Sequence, residues 1–149
     1  MSVGFKVQVH AYCTSLLENR VKELQLGLKD LQEAANDNTK SSAGDKYETG
    51  RAMAHLEQEK QQKSLDNNIH LLQLLQGLDK PSKKIVAGAL IQTKNAWFYI
   101  SVSLGKLEID AHTIYCISPQ SPLAQKILNQ KTVNSIDFNG QQEQILQLL

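Results

Sequence analysis

The stretch Ser41-Ser42-Ala43-Gly44-Asp45-Lys46-Tyr47-Glu48 decides the fold, because one long helical pattern stops before it and a second begins within it. Asp45 and Glu48 are three residues apart, so on a helix they would share one surface near its positively poled N-terminus. Two interpretations stay open for these acids. Ser42-x-x-Asp45 and Asp45-x-x-Glu48 both fit a capping box, and a pair of carboxylates at the end of a helical rod also suits a metal ion or a catalytic site.

The segment before this stretch predicts a helix over residues 5–35. Its apolar positions recur at spacings of three and four, which is typical of a helix packed along its length against another helix. They are Phe5, Val9, Tyr12, Leu16, Leu17, Val21, Leu24, Leu28, Leu31 and Ala35. The opening Phe5-x-Val7-x-Val9 also alternates as a strand would. Residues 36–42 are rich in side chains that favour turns, so we expect the helix to break there.

A second helix is predicted over residues 45–76, and it pairs with the first as an antiparallel hairpin. Its inward face is formed by Tyr47, Ala54, Leu65, Ile69, Leu72 and Leu75, whereas residues 57–64 are almost wholly polar. Helices of this length give a hairpin of about 45 Å. A hairpin that is polar near its tip is typical of a projecting arm, and dimerisation into a four-helix bundle is the alternative.

After Gly77 and Pro81 the periodicity changes to that of strands. The sequence predicts strands over residues 85–93, 97–104 and 112–118, a short helix over 122–129 capped by Ser121, and a final hairpin that turns at Asn139-Gly140. The predicted class is therefore α+β: a coiled-coil hairpin over residues 1–77, a linker over 78–84, and a small antiparallel sheet with one helix over 85–149.

Composition limits the possible functions. A net charge of +1 gives no reason to expect independent binding to DNA or to an anionic membrane, so a protein partner is favoured. The two cysteines are far apart without a Cys-x-x-Cys motif, and the four histidines lack metal-ligand spacing. No run of residues is long and apolar enough to span a membrane. We expect a soluble, reduced, cytoplasmic protein, with a monomer favoured.

Two local motifs resemble those of the Gre-type transcript cleavage factors of bacterial RNA polymerase, and the likeness extends over the whole chain. Ile117-Ser118-Pro119-Gln120-Ser121-Pro122-Leu123-Ala124 is similar to the family's Ile-Ser-x-x-Ser-Pro-Leu-Gly signature. Gly44-Asp45-Lys46-Tyr47-Glu48 is similar to its Gly-Asp-Leu-x-Glu. The chain departs from the family at Thr49-Gly50-Arg51-Ala52, where Asn-Ala-Glu-Tyr is usual, and at residues 128–134, where two glycines are missing.

The resemblance implies a transcription elongation factor that is not itself an enzyme. Its C-terminal module would be FKBP-like, without prolyl isomerase activity, and would dock on RNA polymerase through Ser121, Pro122 and Leu123. The arm would enter the secondary channel of the polymerase, towards the 3′ end of a backtracked RNA. There Asp45 and Glu48 would share a Mg²⁺ with the polymerase active site and stimulate cleavage of the RNA, and the free protein would bind no cofactor.

Two other functions compete with this expectation. A divergent member could occupy the polymerase channel without stimulating cleavage, with its tip acids used for capping or paired with Lys46 and Arg51. An independent enzyme could instead use Cys116 as a nucleophile with His112 as its base. Cys116 lies within the apolar run Thr113–Ile117, which is typical of a core strand, so a structural role is favoured for this thiol.

Overall fold

The computed structural model of this chain describes residues 3–39, 44–128 and 133–149, with side chains for all of these except 35–39 and 44–48. The chain divides into two units. Ser15–Gln73 form one, called here the hairpin unit, and Met1–Thr14 together with Leu74–Leu149 form the other, called the sheet unit. The α+β class predicted from the sequence is confirmed. No helix in the described part of the chain has both the length and the apolar character needed to cross a membrane.

Two long helices dominate the first half of the chain. Helix α1 spans Val3–Thr39 and helix α2 spans Gly44–Leu75. The predicted seam of the hairpin unit is confirmed where its side chains are described: Val21, Leu24, Leu28 and Leu31 are half-buried on α1, and Leu65 is buried on α2. The side chains of Ala35 and Tyr47, also predicted for it, lie outside the described part. The helix continues through residues 36–39, so the break predicted there is wrong. Propagation of an existing helix outweighs the weak local preference of Asn and Asp for turns. Residues 40–42 of that predicted break lie outside the described part.

The start of α1 is helical, which excludes the strand alternative for Phe5-x-Val7-x-Val9. The buried apolar positions are Phe5, Val9, Cys13 and Leu17, at a constant spacing of four. Tyr12, which was predicted to belong to this stripe, is 42% exposed, and Leu16 is only half-buried. A spacing of four keeps successive side chains on nearly one face of a helix, so α1 presents a narrow apolar edge here.

In the described part of the sheet unit, six strands and one short helix follow the two long helices. The strands are β1 (Leu90–Thr93), β2 (Trp97–Ile100), β3 (Gly105–Ile109), β4 (His112–Ile117), β5 (Ser135–Phe138) and β6 (Gln141–Leu148), and α3 spans Pro122–Ile127. Their order in the sheet is β3-β4-β2-β1-β6-β5. The β5–β6 hairpin turns at Asn139 and Gly140, which both have positive φ, as a tight hairpin turn requires, so this prediction is confirmed.

The sheet is mixed, so the prediction of an antiparallel sheet is wrong. Strand β4 lies between β2 and β3, parallel to β2 and antiparallel to β3. Strand β3 was not predicted, because Lys106 and Glu108 make it polar at the edge of the sheet, where only one neighbour is needed. The first predicted strand is also too long. Gly88, with φ of +98°, lies against the Leu78 backbone, and this conformation prevents the strand from extending back from β1.

Both faces of the sheet are covered within this unit, which explains why all four residues of β2 are buried. One face meets the first turns of α1: the Phe5 and Trp97 rings have centroids 4.8 Å apart. The opposite face carries the main apolar cluster, in which Phe98 and Ile100 of β2 pack with Ala124 and Ile127 of α3. A strand that is buried on both faces needs an unbroken apolar run, and Trp97-Phe98-Tyr99-Ile100 supplies it.

Candidate functional site

The predicted acidic pair lies in the first turns of α2. The helix begins at Gly44, so the backbone carries Asp45 and Glu48 on neighbouring positions of one helical surface, at the end where free N–H groups concentrate positive charge. The side chains of both acids lie outside the described part, as does Ser42 of the predicted capping box. The pairing of these acids with Lys46 or Arg51 stays a prediction for the same reason.

Contacts between the two long helices establish an antiparallel hairpin. A Cβ added at Gly27 of α1 would lie 2.8 Å from the Gln61 side-chain oxygen of α2, so the helices approach closely at this point. A groove of about 530 Å³ between them is lined by residues of both helices, including Arg20, Lys60 and Asn68. Only four residues connect the end of α1 at Thr39 to the start of α2 at Gly44, so two helices in contact at these positions run antiparallel. The end of α1 and the start of α2, with Asp45 and Glu48, lie at the same end of the hairpin.

The seam becomes polar along α2. Gln58 and Gln61 are half-buried, and Asn68 is buried, with its amide donating to the Ser64 carbonyl oxygen at 2.7 Å. Exposed polar side chains flank this seam, including His55 and Glu59, whose Nε2 and Oε1 atoms are 3.4 Å apart. Polar side chains that reach their own backbone or water do not require an apolar cover, so this part of the hairpin tolerates solvent on both sides.

The second predicted group is Ser121, Pro122 and Leu123, at the start of α3 in the sheet unit. Ser121 is the N-cap: its hydroxyl oxygen accepts a hydrogen bond from the Ala124 amide at 3.2 Å. Pro122 occupies the first turn and is exposed, whereas Leu123 is half-buried against the apolar cluster. Capping and packing account for Ser121 and Leu123, so Pro122 is the member of this group with a free surface.

The alternative nucleophile Cys116 is enclosed in the sheet unit. It is 1% exposed, and its sulfur lies 3.5 Å from the sulfur of Cys13 on α1. The hydrogen bond to Cys13 and burial both raise the pKa of the Cys116 thiol, which is therefore protonated near neutral pH. The His112 ring packs edge-on against Phe5, with centroids 5.2 Å apart. These contacts do not favour the predicted alternative of a Cys116–His112 catalytic pair.

Sequence reasoning missed a buried polar cluster under the first turns of α1. Lys6 is completely buried, and its ammonium group donates to the Lys80 carbonyl oxygen at 2.5 Å, the Leu149 main-chain oxygen at 3.1 Å and the Ser82 hydroxyl at 3.2 Å. One turn later, the His10 Nδ1 lies 2.8 Å from the Tyr99 hydroxyl. Lys6 and His10 directly follow the buried Phe5 and Val9. This spacing on the helix could have indicated from the sequence that both side chains lie beside the apolar face.

Burial sets the electrostatics of this cluster. Desolvation lowers the pKa of Lys6, and the negative charge of Asp79 opposes that shift. The same desolvation lowers the pKa of His10, with Asp79 acting against it and Lys6 acting in the same direction. The Tyr99 hydroxyl donates to the Leu78 carbonyl oxygen at 3.2 Å, and burial raises its pKa. Leu78 and Lys80, within the predicted linker, are thus hydrogen-bonded into the sheet unit.

Neither a metal cluster nor a relative identifies the chain. Among the residues whose side chains are described, there is no group of three or more His, Cys, Asp or Glu that could hold a metal ion. Asp45 and Glu48 are not among those residues. Comparisons with protein families, curated proteins and solved structures find no match to this chain.

Proposed function

We propose that this chain is an accessory factor of bacterial RNA polymerase that stimulates cleavage of backtracked RNA through the end of its helical hairpin. The observation that carries the proposal is the antiparallel pairing of α1 and α2 with α2 beginning at Gly44, because it locates Asp45 and Glu48 at one end of the hairpin. The Gly44–Glu48 and Ile117–Leu123 motifs that resemble the Gre-type factors supply the identity of the partner.

The dimensions and surface of the hairpin unit suit insertion into a narrow, solvated channel. Its helical segments, 15–39 and 44–73, are about 38 and 45 Å long at ~1.5 Å per residue. The half-buried Gln58 and Gln61 give the seam a polar character that needs no further apolar cover. An independently folded globule would instead need a continuous apolar core at this level.

Gly50 supports close approach of a partner near the acidic end. A glycine within a helix costs about 1 kcal/mol relative to alanine, so its presence calls for a reason. Among the described residues, a Cβ added at Gly50 would meet nothing within 4 Å, so no described contact requires the glycine. The wall of a tightly fitting channel would require it, since that wall could approach the α2 backbone directly.

The acid pair suits part of a Mg²⁺ site completed by the polymerase. Mg²⁺ takes one or two carboxylates and keeps several waters, and two acids one helical turn apart offer that number of ligands. When bound, the metal would activate a water for attack on the RNA phosphodiester. Asp45 and Glu48 would hold and orient the ion, and the positive end of α2 would favour their ionised forms.

The sheet unit would dock the factor on the polymerase. In this proposal it is the FKBP-like module, with Ser121, Pro122 and Leu123 at the contact and without prolyl isomerase activity. The Ser121 cap and the Gln125 side chain, which donates to the Pro119 carbonyl oxygen at 2.6 Å, hold the loop in one conformation. A loop that is ordered before binding loses little conformational entropy on docking.

A second candidate is a factor that occupies the channel without stimulating cleavage. The observation that favours it is Thr49-Gly50-Arg51-Ala52 directly after the acids, where the Gre-type factors usually have Asn-Ala-Glu-Tyr. Under this alternative, Asp45 and Glu48 would be used to cap α2. The two candidates share the partner and differ only in the task of the acids.

Transcript cleavage in a stalled, backtracked complex of the polymerase separates the candidates. We expect the chain to release short 3′ fragments of RNA in saturating Mg²⁺, and Asp45→Asn with Glu48→Gln to reduce this release by at least about a hundredfold, as for loss of a metal-holding group. The matched control is Asp30→Asn with Glu33→Gln, which removes two exposed acids of the same spacing from α1 and should keep full activity.

The binding and stability of the same variants complete the experiment. Normal polymerase binding without fragment release by the unmodified chain would favour the channel-occupying factor. If the tip variant keeps cleavage but melts at a distinctly lower temperature, the acids cap α2 and the proposed metal role is wrong. Absence of any binding to the polymerase would overturn both candidates.

A further inference from the structure

Two thiols that are far apart in the sequence meet inside the sheet unit. The sulfurs of Cys13 on α1 and Cys116 on β4 are 3.5 Å apart, and the two residues are 0% and 1% exposed. They are the only cysteines of the chain, and both are free thiols. We propose that Cys13 and Cys116 form a redox-modification site, in which a small hydroperoxide closes an intramolecular disulfide between α1 and β4.

The geometry requires only a small movement. A disulfide has an S–S length of about 2.05 Å, so the two sulfurs must approach by about 1.5 Å. Rotation about the side-chain torsions of two cysteines supplies a displacement of this size. Neither residue is on an exposed loop: Cys13 is within α1, and Cys116 is in β4, which is paired on both sides.

Contacts that do not involve sulfur hold the two elements together. The Phe5 ring packs on Trp97, and His10 bonds to the Tyr99 hydroxyl at 2.8 Å, two and one turns before Cys13. Tyr99 is also the register partner of Cys116 across β2 and β4. The thiols are therefore held at a high effective concentration before any oxidant arrives, and the bond would close within one molecule.

The reaction balances with one hydroperoxide. The contact with Cys116 lowers the pKa of the Cys13 thiol, which makes Cys13 the attacking sulfur. Its thiolate attacks the O–O bond of ROOH, and the products are a sulfenic acid and, after protonation, ROH. The Cys116 sulfur then attacks the Cys13 sulfur, the S–O bond breaks, and water leaves with the thiol proton. Two thiols are oxidised, and one peroxide is reduced.

Burial gives the site its selectivity. With exposures of 0% and 1%, neither sulfur can reach a thiol of another molecule, which disfavours disulfide-linked dimers and mixed disulfides. A hydroperoxide as small as hydrogen peroxide can enter during local opening of the α1–sheet contact. A larger oxidant, such as the disulfide of a small peptide, cannot enter without more extensive unfolding. The site is independent of the proposed function, because it uses neither the acids Asp45 and Glu48 nor the proposed docking residues 121–123.

Closing the bond should stabilise the sheet unit. The disulfide would span Cys13 to Cys116, a loop of about 100 residues, so the unfolded chain would lose a large closure entropy. For a chain of this length, that loss of entropy corresponds to a rise of about 5–15 °C in melting temperature. Strain in the disulfide would bring the rise towards the lower value.

The test treats the native protein with hydrogen peroxide. After blocking of remaining thiols, intact mass and non-reducing peptide mapping should show a Cys13–Cys116 cross-link that forms at a rate independent of protein concentration. The oxidised protein should melt about 5–15 °C higher, and dithiothreitol should reverse the shift. Cys13→Ser and Cys116→Ser are matched controls, and neither should show the cross-link or the rise in melting temperature.

Other results of the same treatment would contradict the proposed disulfide. If native protein keeps both thiols while urea-unfolded protein is cross-linked under the same peroxide treatment, the contact is only a packing contact and the proposal is wrong. Irreversible oxidation to sulfinic acid, or dimers as the main product, would also overturn it. A cross-link that forms without raising the melting temperature would show that the bond distorts the native unit, and would overturn the inferred geometry.

Discussion

Replacing Lys6 with methionine should destabilise the sheet unit by only about 1–2 kcal/mol, although a buried cation is removed. Lys6 donates to Lys80, Ser82 and Leu149 from a completely buried position. The Leu149 oxygen keeps a second donor, the Leu90 amide at 3.0 Å, and the Ser82 hydroxyl can rotate. Only the Lys80 oxygen loses its donor, and an unsatisfied carbonyl costs about 1–3 kcal/mol.

Two further effects set the size of the change. Removal of the ammonium group relieves its desolvation, which offsets part of the cost of the lost hydrogen bond. Methionine keeps most of the volume of the lysine stem, so it leaves little cavity. Lys6→Ala removes that volume as well, and at ~0.8 kcal/mol per buried methylene it should cost about 2–3 kcal/mol more than Lys6→Met.

Trp97 provides the assay. It is the only tryptophan, it is 2% exposed, and it packs on Phe5, the neighbour of Lys6, so its fluorescence follows the unfolding of the sheet unit. In urea titrations, the unfolding midpoint of Lys6→Met should be lower than that of the unmodified protein, and the midpoint of Lys6→Ala should be lower still. Lys29→Met, which changes an exposed lysine on α1, should stay within about 0.5 kcal/mol of the unmodified protein. If Lys6→Met is as stable as the unmodified protein, the desolvation cost of the ammonium group outweighs its hydrogen bonds, and the expected loss of stability is wrong.

Two other predictions concern His10 and Pro122. Burial lowers the pKa of His10 in the folded state, so between that value and about 6.5 the unfolded chain binds more protons, and stability should fall as pH drops through this window. The Trp97 urea midpoint should show that slope and His10→Gln should flatten it; an unchanged slope would exclude His10 as its source. Under the proposed function, Pro122→Ala should weaken polymerase binding about fivefold, the equivalent of ~1 kcal/mol, without loss of stability. Pro81→Ala, at another exposed proline, should have no effect, and equal affinities for all three proteins would argue against docking through Pro122.

Local signals predicted the parts of the fold that local interactions determine. The Ser121 cap, the Asn139-Gly140 turn and the seam of the hairpin depend on residues within a few positions of one another. Interactions over so few residues can be predicted from one sequence. The strands that pair with β4 cannot be predicted in this way, because a strand such as His112–Ile117 has the same apolar pattern beside a parallel or an antiparallel partner.

The candidate sites also differ in whether local or long-range contacts form them. The sequence identified Asp45 and Glu48 because a helix brings positions three apart together without help from the rest of the fold. Nothing local pairs Cys13 with Cys116, which meet only when α1 packs on the sheet. Lys6 was missed for a related reason: its burial depends on acceptors at Lys80 and Leu149, more than seventy residues away.

The early part of α1 explains why the boundary of the sheet unit is not visible in the sequence. Residues Met1–Thr14 belong to that unit with Leu74–Leu149, although the same helix continues without a break into the hairpin unit. A composition change marks residues 77–81 but no change occurs at 14, because a helix that passes from one apolar surface to another keeps one periodicity. The sheet nevertheless needs this segment. Without Phe5, Val9 and Cys13, one face of β2 and β4 would lie open at Trp97 and Cys116, and an apolar face of that kind is unstable in water.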